Sequence, residues 1–328
     1  MYEKFYNFSG IPFLLTPDPR FFFGSAGHSR AISHLVFGLA QEEGFIVITG
    51  EVGAGKTTLV EQLWAQLDRN TYVIARVVTT QVSGDDLLRL AMAGFGIGET
   101  PGTDKATLIR RFEQMVRDQR KAGRRCLLVV DEVQSLSLAA LEELRMLSNI
   151  TVDGRASVQT ILLGQPQFRP ILASRDVEQL RQRVLASFHL GPLTEDETRL
   201  YIEHRLRTVG WKGDPALDQD AYRAIHRASG GIPRRINTLC SRVLLYGALE
   251  EAHTIEATMV ETTAGQLEQD LGIGLMPPVD AIPEKTLNDA AHQELLRRIE
   301  ALEQTATRQD RVFRRVLDLL AEVEAKRS

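Results

Sequence analysis

The chain has 328 residues, 43% of them hydrophobic, and a formal net charge of −4 at pH 7. That length suits two domains, or one domain with appendages, and the apolar share excludes an intrinsically disordered chain. The mild acidity argues against nucleic acid or anionic lipid as a partner, and two cysteines, Cys126 and Cys240, are too few for a disulfide framework or a cysteine metal site.

Both cysteines are expected to be buried free thiols in a reducing compartment. The opening MYEKFYNFSG lacks the basic head and apolar centre of a signal peptide. No apolar run approaches the roughly 18 to 20 residues of a membrane helix. The expectation is a cytoplasmic protein whose membrane association, if any, is peripheral and through a partner.

In chain order, short apolar runs rich in β-branched residues at 45–49, 72–78, 126–130, 158–163 and 186–190 are predicted strands. Segments with helical spacing at 56–68, 83–94, 103–121 and 137–149 fall between them. Alternating strands and helices imply a parallel sheet covered on both faces. After 190 the strands stop. Thr194 with Glu197 three residues on is a capping-box signature that opens a helix closed by Gly210, and further helices are predicted at 217–229, 233–250 and 255–268.

Residues 271–286, with three prolines and no period, are predicted to be a linker. Beyond it Leu295, Ile299, Leu302, Ala306, Phe313, Val316, Leu320 and Val323 form a heptad seam about four repeats long. That helix pairs with another chain, or folds back on its own. The expected division is an α/β subdomain at 1–192, an all-helical subdomain at 193–268, a linker at 269–288 and a coiled-coil-like helix at 289–328.

The stretch GEVGAGKTT, from Gly50 through Glu51, Val52, Gly53, Ala54, Gly55, Lys56 and Thr57 to Thr58, follows a predicted strand and opens a predicted helix. It fits the pattern GxxxxGK[ST], in which glycines curl the backbone so that successive N–H groups and a helix N-terminus bind phosphate oxygens. Lys56 is expected to reach the β- and γ-phosphates of ATP, and the Thr57 hydroxyl to ligate Mg²⁺. The run CLLVVDE ends a strand with Asp131, suited to hold the Mg²⁺ shell, and Glu132, suited to take the proton of an attacking water.

Gln165, at the end of the next predicted strand, is the candidate sensor of the γ-phosphate; alternatively it caps the helix after Pro166. The cationic candidates are Arg181 and Arg183 before the last strand, and Arg234 and Arg235 in the helical part, because a planar, permanently charged fork stabilises phosphoryl charge.

Together the GEVGAGKT strand, the DE strand, a polar sensor strand, an arginine before the fifth strand and GIPR in the helical part resemble an AAA+ ATPase. More narrowly, MYEKFYNFSGIPFLLTPDPRFFFGSAGHSRA, EGFIVITGEVGAGKTTL, LLVVDEVQSLS, LLGQPQF and SGGIPRRINTLC resemble ATPases of the general secretion pathway component A type. They are most similar to the subfamily that accompanies exosortase and exopolysaccharide loci. The resemblance covers about residues 1–268. It implies a P-loop three-layer α/β core with a helical lid and nucleotide between them, and it makes Arg234 the residue that reaches the nucleotide from the lid. Arg183, or failing that Arg181, becomes the finger that completes a neighbouring subunit's site. Pro19 to Phe23 and His28, ahead of the first helix, would lie near the adenine. Broader AAA+ proteins commonly carry Asn, Ser or Thr at the sensor, where this chain has Gln165. Relatives of the secretion type can add a membrane span and a peptidoglycan-binding module, so wall binding is not carried over.

The expected function is Mg²⁺-dependent ATP hydrolysis by a homo-oligomer, ring or filament, that remodels or regulates a partner in polysaccharide export or exosortase-linked secretion. Two alternatives stand beside it. One is a DNA-associated AAA+ regulator of the transposition type, for which the basic stretch 110–125 is the candidate surface, otherwise a solvated helix face. The other is a scaffold that ATP stabilises with little turnover.

Overall fold

A computed structural model describes residues 2–271 apart from 17, 69, 79–82, 99–102 and 153. The predicted heptad helix, and all of the predicted linker beyond 271, lie outside the described residues. The described residues group as one compact unit.

Five strands form one parallel sheet: β1 (Phe45–Gly50), β2 (Tyr72–Val78), β3 (Arg125–Asp131), β4 (Val158–Gly164) and β5 (Val184–Leu190), in the order β2-β3-β4-β1-β5. Every residue of β1 and β4 is buried, whereas the edge strand β5 alternates. That contrast follows from covering the sheet on both faces, because a central strand then needs apolar side chains at every position. On one face Phe45, Val47, Leu128, Val130 and Leu162 pack with α3 (Gly84–Gly94), α4 (Lys105–Lys121) and α5 (Leu138–Ser148). On the other Ile46, Ile48, Leu127, Val129 and Ile161 meet α1 (Ala26–Ala40) and α2 (Lys56–Gln66). Successive residues of a strand point to opposite faces, so one sequence run supplies both cores.

The helical part comprises α6 (Glu195–Thr208), α7 (Gln219–Ser229), α8 (Pro233–Leu249) and α9 (Ala257–Leu271). Thr194 Oγ1 and Glu197 make the reciprocal capping box that opens α6. α9 runs to Leu271, into the stretch expected to be linker. Among the described residues no helix is long and apolar enough to cross a membrane.

Two expectations need correcting. The N-terminal segment, grouped by expectation with the α/β part at 1–192, sends Tyr2, Tyr6, Phe8, Phe13 and Phe21 into the core of the helical part, with Tyr201, Ile225, Leu239 and Val260. Burying one such aromatic is worth about 1.5–3 kcal/mol, and both faces of the sheet are already filled by helices, so the segment finds its apolar partners on the bundle. Tyr6 Oη also donates to the Ala252 carbonyl at 3.0 Å, and the Ser9 N–H to that of Val209 at 2.9 Å. The second concerns His28, which lies inside a helix, α1, and not ahead of the first one. Ser25 caps α1 by accepting from the His28 N–H at 3.2 Å, and Ala31, Leu35 and Leu39 at steps of four supply its buried face.

Phe112 of α4 is fully buried in the first core, with its ring centroid 5.7 Å from that of Phe95. Phe112→Ala is expected to lower the unfolding free energy by about 3–5 kcal/mol, read from the urea midpoint. A variant as stable as the parent would contradict this packing.

Candidate functional site

The loop after β1 is shaped by close backbone approaches. A Cβ at Gly50 would stand 2.6 Å from the Leu190 carbonyl oxygen, and one at Gly53 would stand 2.3 Å from Arg234 Cβ. Gly53 and Gly55 also adopt φ of 83° and 97°, conformations that favour glycine. Lys56 is the first residue of α2, so the loop delivers its N–H groups at a helix N-terminus. The buried Lys56 ammonium donates to the Gly50 and Glu51 carbonyls at 2.7 and 2.9 Å. Burial pushes its pKa below the ordinary lysine value, while the charges of Glu132, Asp131 and Glu51 pull it back up.

The acidic pair sits at the tip of β3. Thr57 Oγ1 donates to Asp131 Oδ2 at 3.0 Å, and the same oxygen accepts from Arg76 of β2 at 3.2 Å. Arg76 also reaches Glu61 of α2 at 3.2 Å. Two hard oxygen donors this close at a phosphate loop fit Mg²⁺, which keeps most of its shell as water and phosphate. Among the described residues there is no cluster of three or more His, Cys, Asp or Glu side chains that could hold a metal ion.

Glu132 holds φ 56° and ψ 38°, a left-handed conformation that turns the chain into the short 3-10 turn Val133–Ser135. Its Oε2 accepts from Gln134 Nε2 at 2.5 Å and from Gln165 Nε2 at 2.9 Å. Gln165, the candidate sensor of the γ-phosphate, thus contacts the Glu132 carboxylate.

A cavity of about 320 Å³ joins these parts. Its floor is the loop from Val52 to Thr58 with Glu132; its walls are the N-terminal segment, at Leu14–Thr16 and Phe21–Phe23, and the helical part, at Tyr201, Arg205, Arg234 and Asn237. Arg234 is exposed, and its N–H donates to the Gly53 carbonyl at 3.2 Å, which docks α8 on the phosphate loop. Arg205 is buried, donates to the Pro12 carbonyl at 2.6 Å and lies 4.6 Å from the Phe21 ring centroid. His28 lines the cavity beside Gly55, with Nδ1 2.8 Å from Ser25 Oγ, and burial lowers its pKa.

The structure does not bring Arg181 and Arg183 to this cavity. Both precede β5, at the end of the sheet opposite the phosphate loop, since β5 runs parallel to β1. Arg183 is half-buried and donates to Ser148 Oγ at 3.3 Å, whereas Arg181 is exposed and donates to the Ala173 carbonyl at 2.8 Å. Sequence reasoning missed Arg76, Gln134, Arg205 and Asn237. The glutamine two residues after the acidic pair was the one local signal; the others belong to no motif.

Residues 39–172 match the family model described as AAA domain. The chain is 35% identical over 259 residues to General secretion pathway protein A of Aeromonas hydrophila, an alignment that spans 78% of this chain and 46% of that protein. The chain therefore covers less than half the length of that relative. Among solved structures it is similar to Cdc6p of Pyrobaculum aerophilum, with a TM-score of 0.63 and 14% identity over 78% of this chain and 74% of that one. It is also similar to the Thermotoga maritima RuvB Holliday junction branch migration motor, with a TM-score of 0.50 and 18% identity over 74% and 68% of the two chains. At such identities these two likenesses speak for the fold alone. With its five-stranded parallel sheet, phosphate loop and packed helices, the chain has the fold of AAA+ P-loop proteins, and its residues 39–172 match the AAA domain model.

Proposed function

We propose that this chain is an Mg²⁺-dependent ATPase that works as a homo-oligomer and uses hydrolysis to remodel or regulate a partner. One observation carries the reading: a single cavity holds the phosphate loop with Lys56 from the tip of β1 and Glu132 from the tip of β3, with Asp131 against Thr57 beside it. Gly50 to Thr58 would cradle the phosphates through backbone N–H groups, and Lys56 would place its ammonium on the β- and γ-phosphates. Thr57 and Asp131 would hold Mg²⁺, which when bound neutralises charge on the phosphoryl oxygens. Glu132 would accept the proton of the water that attacks the γ-phosphorus as the bond to ADP breaks. Arg234 would contact the nucleotide from the helical part, and Gln165 would hold Glu132 beside the γ-phosphate.

A neighbour's arginine would complete each site. Arg183, or failing that Arg181, is the proposed finger; Arg183 donates to Ser148 and the exposed Arg181 to the Ala173 carbonyl within their own subunit. The partner is proposed to belong to bacterial secretion or exopolysaccharide export, with the protein cytoplasmic and peripheral at the inner membrane. The 35% identity to a protein named for the general secretion pathway supports the secretion part, and the sequence motifs support the exopolysaccharide and exosortase link. Polysaccharide export and exosortase-like genes beside this one would strengthen that link. The basic stretch 110–125 gives a nucleic-acid reading little footing: Arg117 pairs with Glu113, Arg125 pairs with Glu42, and Arg120 donates to the Ala156 carbonyl.

Lys56→Ala is expected to abolish ATP binding in a calorimetric titration with Mg²⁺; binding at parental affinity would defeat the phosphate-site assignment. Glu132→Gln is expected to bind ATP as the parent does and to lose about 10²–10⁴-fold in turnover. Parental hydrolysis by that variant would remove Glu132 as the base. Specific activity is expected to rise steeply with protein concentration, since an arginine supplied in trans is worth about 10³–10⁵ in rate. A flat dilution series at saturating ATP would rule out shared sites.

A further inference from the structure

The hydrogen bonds around Glu132 form a closed relay in which each group's role is determined. The Gln165 backbone N–H donates to Gln134 Oε1 at 2.9 Å, so that oxygen is an acceptor and the Gln134 amide has one orientation. Its Nε2 then faces Glu132 and donates to Oε2, the same oxygen that Gln165 Nε2 reaches. Among the described residues no hydrogen bond is made to the other oxygen, Oε1. The short turn Val133–Ser135, entered through the left-handed Glu132, folds Gln134 back over the acid. Close packing ties that turn to the end of β4, because a Cβ on Gly164 would meet Val133 Cγ2 at 2.8 Å.

Two donors on one carboxylate oxygen hold the group in a single rotamer, and a base fixed within hydrogen-bond geometry of its water outperforms one that must find it. We propose that Gln134 is a positioning residue for hydrolysis: its amide, locked by the Gln165 backbone, holds Glu132 with Oε1 presented to the attacking water and links that orientation to the tip of β4. This rests on the ATPase reading above. Gln165 touches the acid directly, whereas Gln134 acts only through it. Displacement of the β4 tip when a γ-phosphate is present or absent would therefore reach the base through both amides together.

The test compares steady-state ATP hydrolysis, equilibrium binding of a fluorescent ATP analogue and thermal melting for the parent, Gln134→Met, Gln134→Glu, Glu132→Gln and the Glu132→Gln, Gln134→Met double variant. Gln134→Met is expected to lower kcat about tenfold or more while KM, nucleotide affinity and Tm stay at parental values. Gln134→Glu keeps an acceptor for the Gln165 N–H but removes the donor, and should lose at least as much; it carries the test if the methionine variant fails to fold. In the Glu132→Gln background, Gln134→Met should change the residual rate no further, because the group it positions is gone. A Gln134→Met enzyme with parental kcat, or one that loses the same factor in both backgrounds, overturns the inference alone. A parent that binds ATP without turnover overturns the ATPase reading and this inference with it.

Discussion

The pairing of β1 with β4 on one edge and β5 on the other is the interaction on which the site depends. Thr49 is in register with Gly164, and Gly50 with Leu190, so the phosphate loop leaves the sheet between two fixed strand ends. A displaced register would move Lys56 away from Asp131 and Glu132, whose strand is set by its own pairing with β4. Parallel ladders buried on both faces are strongly specified, because a slip of one residue would exchange the two cores. Catalytic geometry is thus inherited from hydrophobic packing: Phe45 and Val47 point to one core and Ile46 and Ile48 to the other, and the glycine loop starts where that alternation ends.

The second constraint is the attachment of the helical part, which shares the cavity with the sheet. It is held there by two kinds of contact. Arg234 docks through a backbone hydrogen bond to Gly53, a position that only a residue without a Cβ can occupy at that distance. Arg205 anchors the N-terminal segment through the Pro12 and Leu14 carbonyls, with Tyr201 and Asn237 completing a buried polar network. Such a network is stable because its groups satisfy one another, and removing one member would leave another unpaired away from water.

Much of this was legible in the sequence, for identifiable reasons. Gly50 to Thr58 and Asp131 with Glu132 are local patterns whose chemistry depends on neighbours a few positions away, and the strands are long enough to declare themselves by composition. The capping box at Thr194 is likewise contained within four residues. What escaped was settled by tertiary contacts. The aromatic N-terminus has no periodicity that says which core it joins. Arg76 resembles any strand arginine until β2 lies beside β3. Gln134 gains its meaning only when the backbone of Gln165, thirty-one positions along the chain, supplies its donor. Arg181 and Arg183, expected to serve a neighbouring subunit's site, lie at the end of the sheet away from the cavity of their own.

The packing of the first aromatic residues onto the helical bundle has a practical corollary. Phe5 lies against Tyr6 and stacks on His253, so the start of the described chain is mechanically part of the bundle although it precedes the sheet in sequence. A fluorescent reporter placed near Lys4 would travel with the bundle, and a second one on the outer surface of α4 would stay with the sheet. The distance between the two dyes would then report the spacing of bundle and sheet directly, without touching any side chain that lines the cavity.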